Sequence, residues 1–124
     1  MNTSEKIILI VDDAPANIQL LSGVLKETYK VKAATSGEKG LKIAGKIPPP
    51  DLILLDVVMP EMDGHEVCRR LKNNPSTRNI PVIFVTGNVS SMAEQQALEL
   101  GAVACLGKPI DSDKLLEIVE RTLS

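Results

Sequence analysis

The segment Asp51-Leu-Ile-Leu-Leu-Asp-Val-Val-Met-Pro-Glu-Met-Asp-Gly64 lies near the middle of this 124-residue chain. Its apolar run, Leu52–Leu55, predicts a strand that is covered on both faces of a sheet. The run is followed directly by Asp56, and Pro60 marks the loop that comes next. Because ligands bind at the carboxyl ends of the strands in open α/β sheets, Asp56 is a candidate site residue.

Three more polar features follow apolar runs in the same way. Asp12 and Asp13 come directly after an early run, Thr86 ends a later one, and Lys108-Pro109 follows the last. These side chains are therefore expected at the same edge of a parallel sheet. Crowded carboxylates repel one another, and a hard divalent cation such as Mg²⁺ offsets that repulsion while it brings phosphate oxygens to the same place.

Strands and helices alternate along the whole chain. The predicted strands are Ile7–Val11, Lys30–Ala34, Leu52–Leu55, Val82–Val85 and Val103–Leu106. Segments with the apolar spacing of helices lie between them and after the last one. This alternation predicts a parallel α/β sheet with right-handed crossovers.

The helix boundaries are predicted from capping residues. Asp13 and Pro15 mark the start of the first helix. Thr35 and Glu38 have the spacing of a capping box at the second helix, which is expected to reach about Ile47. Gly101 is predicted to end the fourth helix. The fifth is expected to be capped by Asp111 or Ser112.

Composition excludes several classes of protein. Apolar residues make up 44% and charged residues 24% of the chain, and the net charge of −2 gives no support for a nucleic-acid surface. Cys68 and Cys105 lack metal-ligand spacing and are expected to be free thiols in the cytoplasm. No stretch approaches the roughly 20 apolar residues needed to span a membrane. Residues 1–124 are expected to form one domain without an output domain.

These motifs carry a family resemblance that covers nearly the whole chain. The acidic pair, the central Asp with its downstream Met-Pro and Asp-Gly, the Thr and the Lys-Pro occur in the order found in receiver domains of two-component response regulators. The chain therefore resembles the phosphoacceptor partner of a sensor histidine kinase. The resemblance implies a flavodoxin-like, doubly wound, five-stranded parallel sheet in the order 2-1-3-4-5.

The resemblance also implies roles for individual residues. Asp13 and Asp56 would ligate Mg²⁺, for which Mn²⁺ can substitute, Asp12 would act mainly through water, and Val58 would contribute its backbone carbonyl. Asp56 would be the nucleophile that takes the phosphoryl group from a phosphohistidine or a small donor such as acetyl phosphate. Lys108 would contact a phosphoryl oxygen after a cis peptide bond to Pro109.

The remaining implications concern Thr86 and the behaviour of the whole domain. The hydroxyl of Thr86 would donate to the phosphoryl group. The domain would catalyse its own Mg²⁺-dependent phosphorylation and slow dephosphorylation without being a conventional enzyme. Its partners would be a sensor histidine kinase or phosphotransfer protein and a downstream output domain or target protein.

One position departs from the family pattern, and it leaves the output mechanism open. Receivers usually carry Tyr or Phe three residues before the Lys, where this chain has Cys105. The other polar candidates have simpler interpretations: His65, the single histidine, is expected on the solvated surface, and Cys68 in a helix core stripe.

Three alternatives compete with the interpretation as a phosphorylated receiver. A haloacid dehalogenase-type phosphatase requires a second Asp where this chain has Val58. A degenerate receiver that only binds partners is expected to lack one of the site residues, and a flavodoxin-like cofactor binder needs a phosphate-binding loop after the first strand. The sequences of the central strands also resemble those of receivers in larger cyclic-di-GMP regulators. The chain would then be a receiver excised from such a regulator.

Overall fold

The computed structural model describes residues 5–87 and 90–124, and within them five parallel strands form one sheet. The strands are β1 (Ile7–Val11), β2 (Lys30–Ala34), β3 (Leu52–Asp56), β4 (Val82–Thr86) and β5 (Ala104–Gly107). The helices are α1 (Pro15–Leu25), α2 (Gly37–Ala44), α3 (Gly64–Asn73), α4 (Ser91–Glu99) and α5 (Ser112–Leu123). The strand order is β2-β1-β3-β4-β5, which confirms the predicted doubly wound topology.

Two layers of helices cover the two faces of the sheet, and the apolar side chains of each strand alternate between them. Leu9 and Val11 pack into one buried cluster, whereas Ile8 and Ile10 pack into the other. Every residue of β1, β3 and β4 is buried, while the edge strands β2 and β5 are partly exposed. The nearly continuous apolar runs of the central strands follow from this double coverage.

The strand ends differ slightly from the predicted ones. β3 and β4 each extend by one residue, so that Asp56 and Thr86 are the last residues of their strands. β5 is shifted by one residue and runs from Ala104 to Gly107, because Thr86 pairs with Gly107 at the end of the ladder. Val103, predicted as a strand residue, is 49% exposed and precedes the strand.

Two predicted helix starts are wrong in detail. The cap of α2 is Ser36 rather than Thr35, since the Ser36 hydroxyl accepts from the Lys39 N–H (3.2 Å). The N-cap position of α1 is Ala14, so Asp13 does not cap this helix, although Pro15 does begin it. The α1 start is supported instead by Asp12, whose carboxylate accepts from the Ala14 N–H (2.9 Å).

The helix ends and the later caps follow the prediction more closely, with one correction. Helix α2 ends at Ala44, short of Ile47. Gly101 has a φ of 100°, a left-handed conformation that ends α4 without the steric cost a side chain would add. Asp111 caps α5, because its carboxylate accepts from the Asp113 N–H (2.9 Å).

In the described part of the chain, every helix is too short or too polar to cross a lipid bilayer.

Candidate functional site

Two buried carboxylates lie side by side at the carboxyl edge of the sheet. Asp56 ends β3, and Asp12 follows β1, whose Val11 is paired with Leu55. Asp12 is only 1% exposed and Asp56 only 4%. Burial of a charge is costly unless the charge is paired. Burial of these two acids therefore favours a cation next to them.

Hydrogen bonds hold Asp12 in place. Its N–H donates to the carbonyl of Ala34 (3.1 Å), which continues the β1–β2 ladder by one residue. Its Oδ1 accepts from the Ala14 N–H at the start of α1 (2.9 Å). One carboxylate oxygen is thus occupied by the backbone, and Oδ2 remains directed at the neighbouring charges.

Lys108, which follows the edge strand β5, supplies the cation. Its Nζ lies 3.1 Å from Asp56 Oδ1 and 3.5 Å from Asp12 Oδ2. The Lys108 side chain is 28% exposed, so the pair is sheltered but reachable from solvent. The peptide bond between Lys108 and Pro109 is cis, as the resemblance implied.

Thr86 lies between the acids and Lys108 in the sheet. It is the last residue of β4 and is 5% exposed. Its carbonyl accepts from the Lys108 N–H (2.8 Å), which ties the two residues together through the backbone. Because Asp56 is paired with Val85, Thr86 lies one residue beyond the level of Asp56. Its hydroxyl is therefore carried at the same edge as the carboxylates.

Burial and neighbouring charges leave the pKa values of both Asp56 and Lys108 above their ordinary values. Burial raises the pKa of the Asp56 carboxyl, and the charges of Asp12 and Asp13 raise it further, while Lys108 opposes the rise through its hydrogen bond and charge. Burial lowers the pKa of the Lys108 ammonium, but contacts with Asp56 and Asp12 outweigh burial and leave this pKa above its ordinary value. Lys108 therefore stays positively charged at neutral pH.

Three carboxylates form a group that could hold a metal ion. Asp12, Asp13 and Asp56 each offer one oxygen, and these oxygens lie within 4.8 Å of one another. Asp13 is exposed and faces solvent, unlike the other two. Opposite ligands of an octahedral Mg²⁺ are about 4.2 Å apart, since each bond is about 2.1 Å. The donor chemistry and the spacing fit a hard divalent cation that keeps some of its waters.

The loop after β3 is pressed against the end of that strand. The Gly64 N–H donates to the carbonyl of Val57 (2.8 Å). A Cβ on Gly64 would lie 2.2 Å from the Asp56 carbonyl oxygen, closer than any real contact. Val58 is 77% exposed, so its side chain is directed away from the protein, and the metal role of its carbonyl stays a prediction.

Sequence reasoning missed the structural roles of Asp63 and Gly64. Asp63 caps α3, since its carboxylate accepts from the Glu66 N–H (2.9 Å). The Asp-Gly pair was available in the sequence as a helix-start signal followed by a residue without a side chain. The close approach of Gly64 to Asp56 depends on how α3 packs, which the pair alone does not reveal.

The single histidine is not the solvated residue that the sequence predicts. His65 is half-buried, and its ring meets the ring of Phe84 edge to face, with 5.4 Å between centroids. Cys68 is fully buried as expected, and its thiol donates to the carbonyl of Leu100 (3.5 Å). Cys105 is half-buried beside Phe84 in the sheet, and burial raises the pKa of its thiol.

Comparison with known proteins identifies the family of this arrangement. Residues 8–120 match the family model described as response regulator receiver domain. The chain is 50% identical over 107 residues to a probable cyclic di-GMP phosphodiesterase of Vibrio cholerae, covering 86% of this chain and 24% of that protein. It is 49% identical over 105 residues to the response regulator PleD of Caulobacter vibrioides, covering 84% of this chain and 23% of PleD.

Solved structures of similar shape lead to the same family. The chemotaxis protein CheY4 of Vibrio cholerae superposes with a TM-score of 0.90 at 30% identity, covering 97% of this chain and 100% of that one. The receiver domain of a histidine kinase from Syntrophus aciditrophicus gives 0.84 at 38% identity, covering 95% and 89%. This chain spans about a quarter of the length of the two curated relatives.

Proposed function

Because this chain belongs to the response regulator receiver domain family, we propose that Asp56 is the residue on which it carries its phosphoryl group. The observation that carries the assignment is the convergence of Lys108 on Asp56 and Asp12, at 3.1 and 3.5 Å, where β3 ends. Lys108 is 52 residues from Asp56 in sequence. A buried acid held beside both a cation and further acids is typical of a functional site.

The chemistry begins at the Asp56 carboxylate. One of its oxygens attacks phosphorus of a phosphohistidine, the bond from phosphorus to the imidazole nitrogen breaks, and an acyl phosphate forms on Asp56. The charge and hydrogen bond of Lys108 favour the ionised carboxylate, and its ammonium then pairs with a phosphoryl oxygen. The Thr86 hydroxyl donates to another oxygen. Transfer of this kind depends mainly on positioning and on charge stabilisation.

A divalent cation completes the charge balance of the site. Asp13 and Asp56 would bind Mg²⁺ directly, Asp12 mainly through water, and Val58 through its carbonyl, with Mn²⁺ as a substitute. The bound ion supplies positive charge to the phosphoryl oxygens. The three carboxylate oxygens within 4.8 Å support this assignment, since they otherwise repel one another.

Partners follow from the family and from the relatives. We infer that the phosphoryl donor is a sensor histidine kinase or a phosphotransfer protein in the cytoplasm, and that residues 1–124 form one receiver domain. The phosphodiesterase and PleD are about four times as long as the matched segment. The phosphorylation state of the receiver is therefore expected to control an output domain or a target protein. Hydrolysis of the acyl phosphate by the domain itself returns the receiver to its unphosphorylated state.

A degenerate receiver is the second candidate, and the site argues against it. Asp12, Asp13, Asp56, Thr86 and Lys108 are all present, and the structure brings the acids, the hydroxyl and the ammonium to one edge of the sheet. A haloacid dehalogenase-type phosphatase is also disfavoured, because Val58 stands where that family needs a second Asp.

The test is covalent labelling with acetyl phosphate and Mg²⁺, followed by intact mass. The chain is expected to gain one phosphoryl group, and Asp56→Asn is expected to gain none. Asp51→Asn is the matched control, because Asp51 precedes the opposite end of β3 and its carboxylate accepts from the Ile7 N–H. Lys108→Ala is expected to fold and to label at least tenfold more slowly. A phosphoryl adduct on Asp56→Asn would refute the assignment.

A further inference from the structure

A cavity opens beside Thr86. It has a volume of about 160 Å³ and lies between β4, β5 and the first turns of α3 and α4. Thr86, Cys105, Phe84 and His65 form parts of its wall. An apolar cavity of about 150 Å³ holds a benzene ring, and the cavity beside Thr86 is of similar size but has a partly polar wall that includes Thr86, His65 and Gln96. The space beside Thr86 is therefore large enough for one aromatic side chain.

Among the residues that the structure describes, the His65 ring is the one placed to enter this cavity. The sequence contains one Phe, one Tyr, one His and no Trp. Phe84 is fully buried in the sheet, and Tyr29 packs in the cluster on the opposite face. His65 is half-buried, and it makes no hydrogen bond to any residue that the structure describes. Its ring is held by an edge-to-face contact with Phe84, which is a weak attachment.

The backbone of His65 lies next to the candidate phosphorylation site. The preceding residue, Gly64, lies against the Asp56 carbonyl and bonds to Val57. A displacement at the end of β3 therefore reaches His65 through one residue, without a flexible linker. Thr86 forms the opposite wall of the same cavity, so both walls connect to groups that contact the phosphoryl group in the proposed function.

His65 also lines a second opening on the surface. This groove lies between α3 and α4, and its walls include Glu61, Arg69, Gln96 and Leu100 in addition to His65. Gln96 borders both the groove and the cavity. A rotation of the His65 ring from its present position into the cavity would remove it from the groove and change the surface that a partner meets.

We propose that the His65 ring reports the phosphoryl state of Asp56 by moving into the cavity beside Thr86 and reshaping the groove between α3 and α4. The inference rests on the proposed function and adds to it the side chain that transmits the state. Two states that differ in this groove bind a partner differently, which is the requirement for a switch. Cys105, with its small side chain, leaves open the space into which the ring would move.

The experiment uses the single histidine as a probe. Its ring gives one set of aromatic resonances. Nuclear Overhauser effects from the His65 ring are recorded at one pH with Mg²⁺, before and after addition of beryllofluoride, a mimic of the phosphoryl group. Contacts from the ring to the Thr86 methyl and the Cys105 β-protons are expected to strengthen at least twofold. The Tyr29 ring, on the other face of the sheet, is expected to remain unchanged.

Variants separate the ring from its surroundings. Cys105→Phe fills the cavity and is expected to abolish the change at His65 while beryllofluoride still binds. His65→Phe keeps a ring and is expected to preserve the beryllofluoride-induced amide shifts at Arg69 and Gln96. His65→Ala removes the ring and is expected to reduce them at least threefold.

Fluorine resonances of bound beryllofluoride separate a failure of the proposed function from a failure of the His65 proposal. If no bound signal appears at saturating mimic, the proposed function fails and the His65 proposal fails with it. If the signal is present but the His65 contacts stay as they were, only the His65 proposal is overturned. It is also overturned if His65→Ala retains the full shifts at Arg69 and Gln96.

Discussion

At the scale of single residues, the site balances the charge of Lys108 against three acids, of which Asp12 and Asp56 are buried. Asp56 is 4% exposed, and its carboxyl has a raised pKa because burial and the charges of Asp12 and Asp13 outweigh Lys108. The metal-free fold therefore holds ionised Asp56 at a cost in stability. This cost is the physical reason to expect a divalent cation beside Asp56.

We expect Asp56→Asn to raise the thermal stability of the metal-free protein at pH 7, by roughly 4 °C for each kcal/mol gained. A carboxyl with a raised pKa in the fold binds more protons folded than unfolded, so the free energy of unfolding falls as pH rises from about 3.9 through the folded pKa. The gain in Asp56→Asn should accordingly shrink on acidification below that window.

Circular dichroism melts in a chelator between pH 4 and 8 measure this difference. Asp51→Asn is the control, since Asp51 lies away from the acidic group and accepts from the Ile7 N–H (2.7 Å). It is expected to show no comparable gain. A melting temperature for Asp56→Asn below that of the parent chain at pH 7 would mean that the lost contact with Lys108 outweighs the relief of burial.

At the scale of elements, the position of α3 depends on one glycine. Helix α3 begins at Gly64, capped by Asp63, and its first residue touches the backbone of β3. The atoms that an added Cβ would meet are the Asp56 carbonyl oxygen at 2.2 Å and the Val57 Cα at 2.9 Å. Because these are backbone atoms, they cannot rotate away as a flexible side chain can.

Gly64→Ala is therefore expected to destabilise the protein by about 1–3 kcal/mol, the usual cost of overpacking, and to slow labelling of Asp56. The matched variant is Gly23→Ala in α1, where an added Cβ meets nothing within 4 Å. That variant should gain roughly 0.5–1 kcal/mol, since alanine favours helix over glycine. Urea unfolding compares the two, and equal effects would contradict the role of packing at Gly64.

At the scale of the whole molecule, the site and the core are separate. Two apolar clusters fill the faces of the sheet, whereas the acids and Lys108 lie at its carboxyl edge. A cation at this edge would bind the folded chain, which assembles the carboxylates, in preference to the unfolded chain, in which they are far apart. Binding therefore adds to the free energy of unfolding without a change of fold.

We predict that Mg²⁺ raises the free energy of unfolding by about 2.7 kcal/mol at one hundred times its dissociation constant. Asp13→Asn should weaken this effect, because it removes one charge from the acidic group while keeping side-chain size. Sodium chloride at equal ionic strength controls for general screening of the carboxylates. Chemical unfolding with and without Mg²⁺ measures the increment, and an undiminished increment in Asp13→Asn would exclude Asp13 as a ligand.

The pattern of apolar and polar residues along the chain was sufficient to predict the architecture and the set of candidate site residues. Continuous apolar runs separated by helix-period segments imply a parallel sheet, and the polar residues that follow the runs must then gather at one edge. Asp12, Asp56 and Thr86 could be placed in this way because strand order and register leave little freedom. The resemblance supplied the order of the strands, and the structure shows the same order.

Contacts between elements were decided only by the tertiary structure. The ammonium of Lys108 reaches Asp56 and Asp12 across the sheet, and the backbone of Gly64 touches that of Asp56. His65 lies half-buried against Phe84, where local pattern predicts a solvated residue. Such contacts depend on the distance and orientation at which helices pack on strands. A difference of about one ångström in packing decides them, and it leaves no trace in the periodicity of either segment.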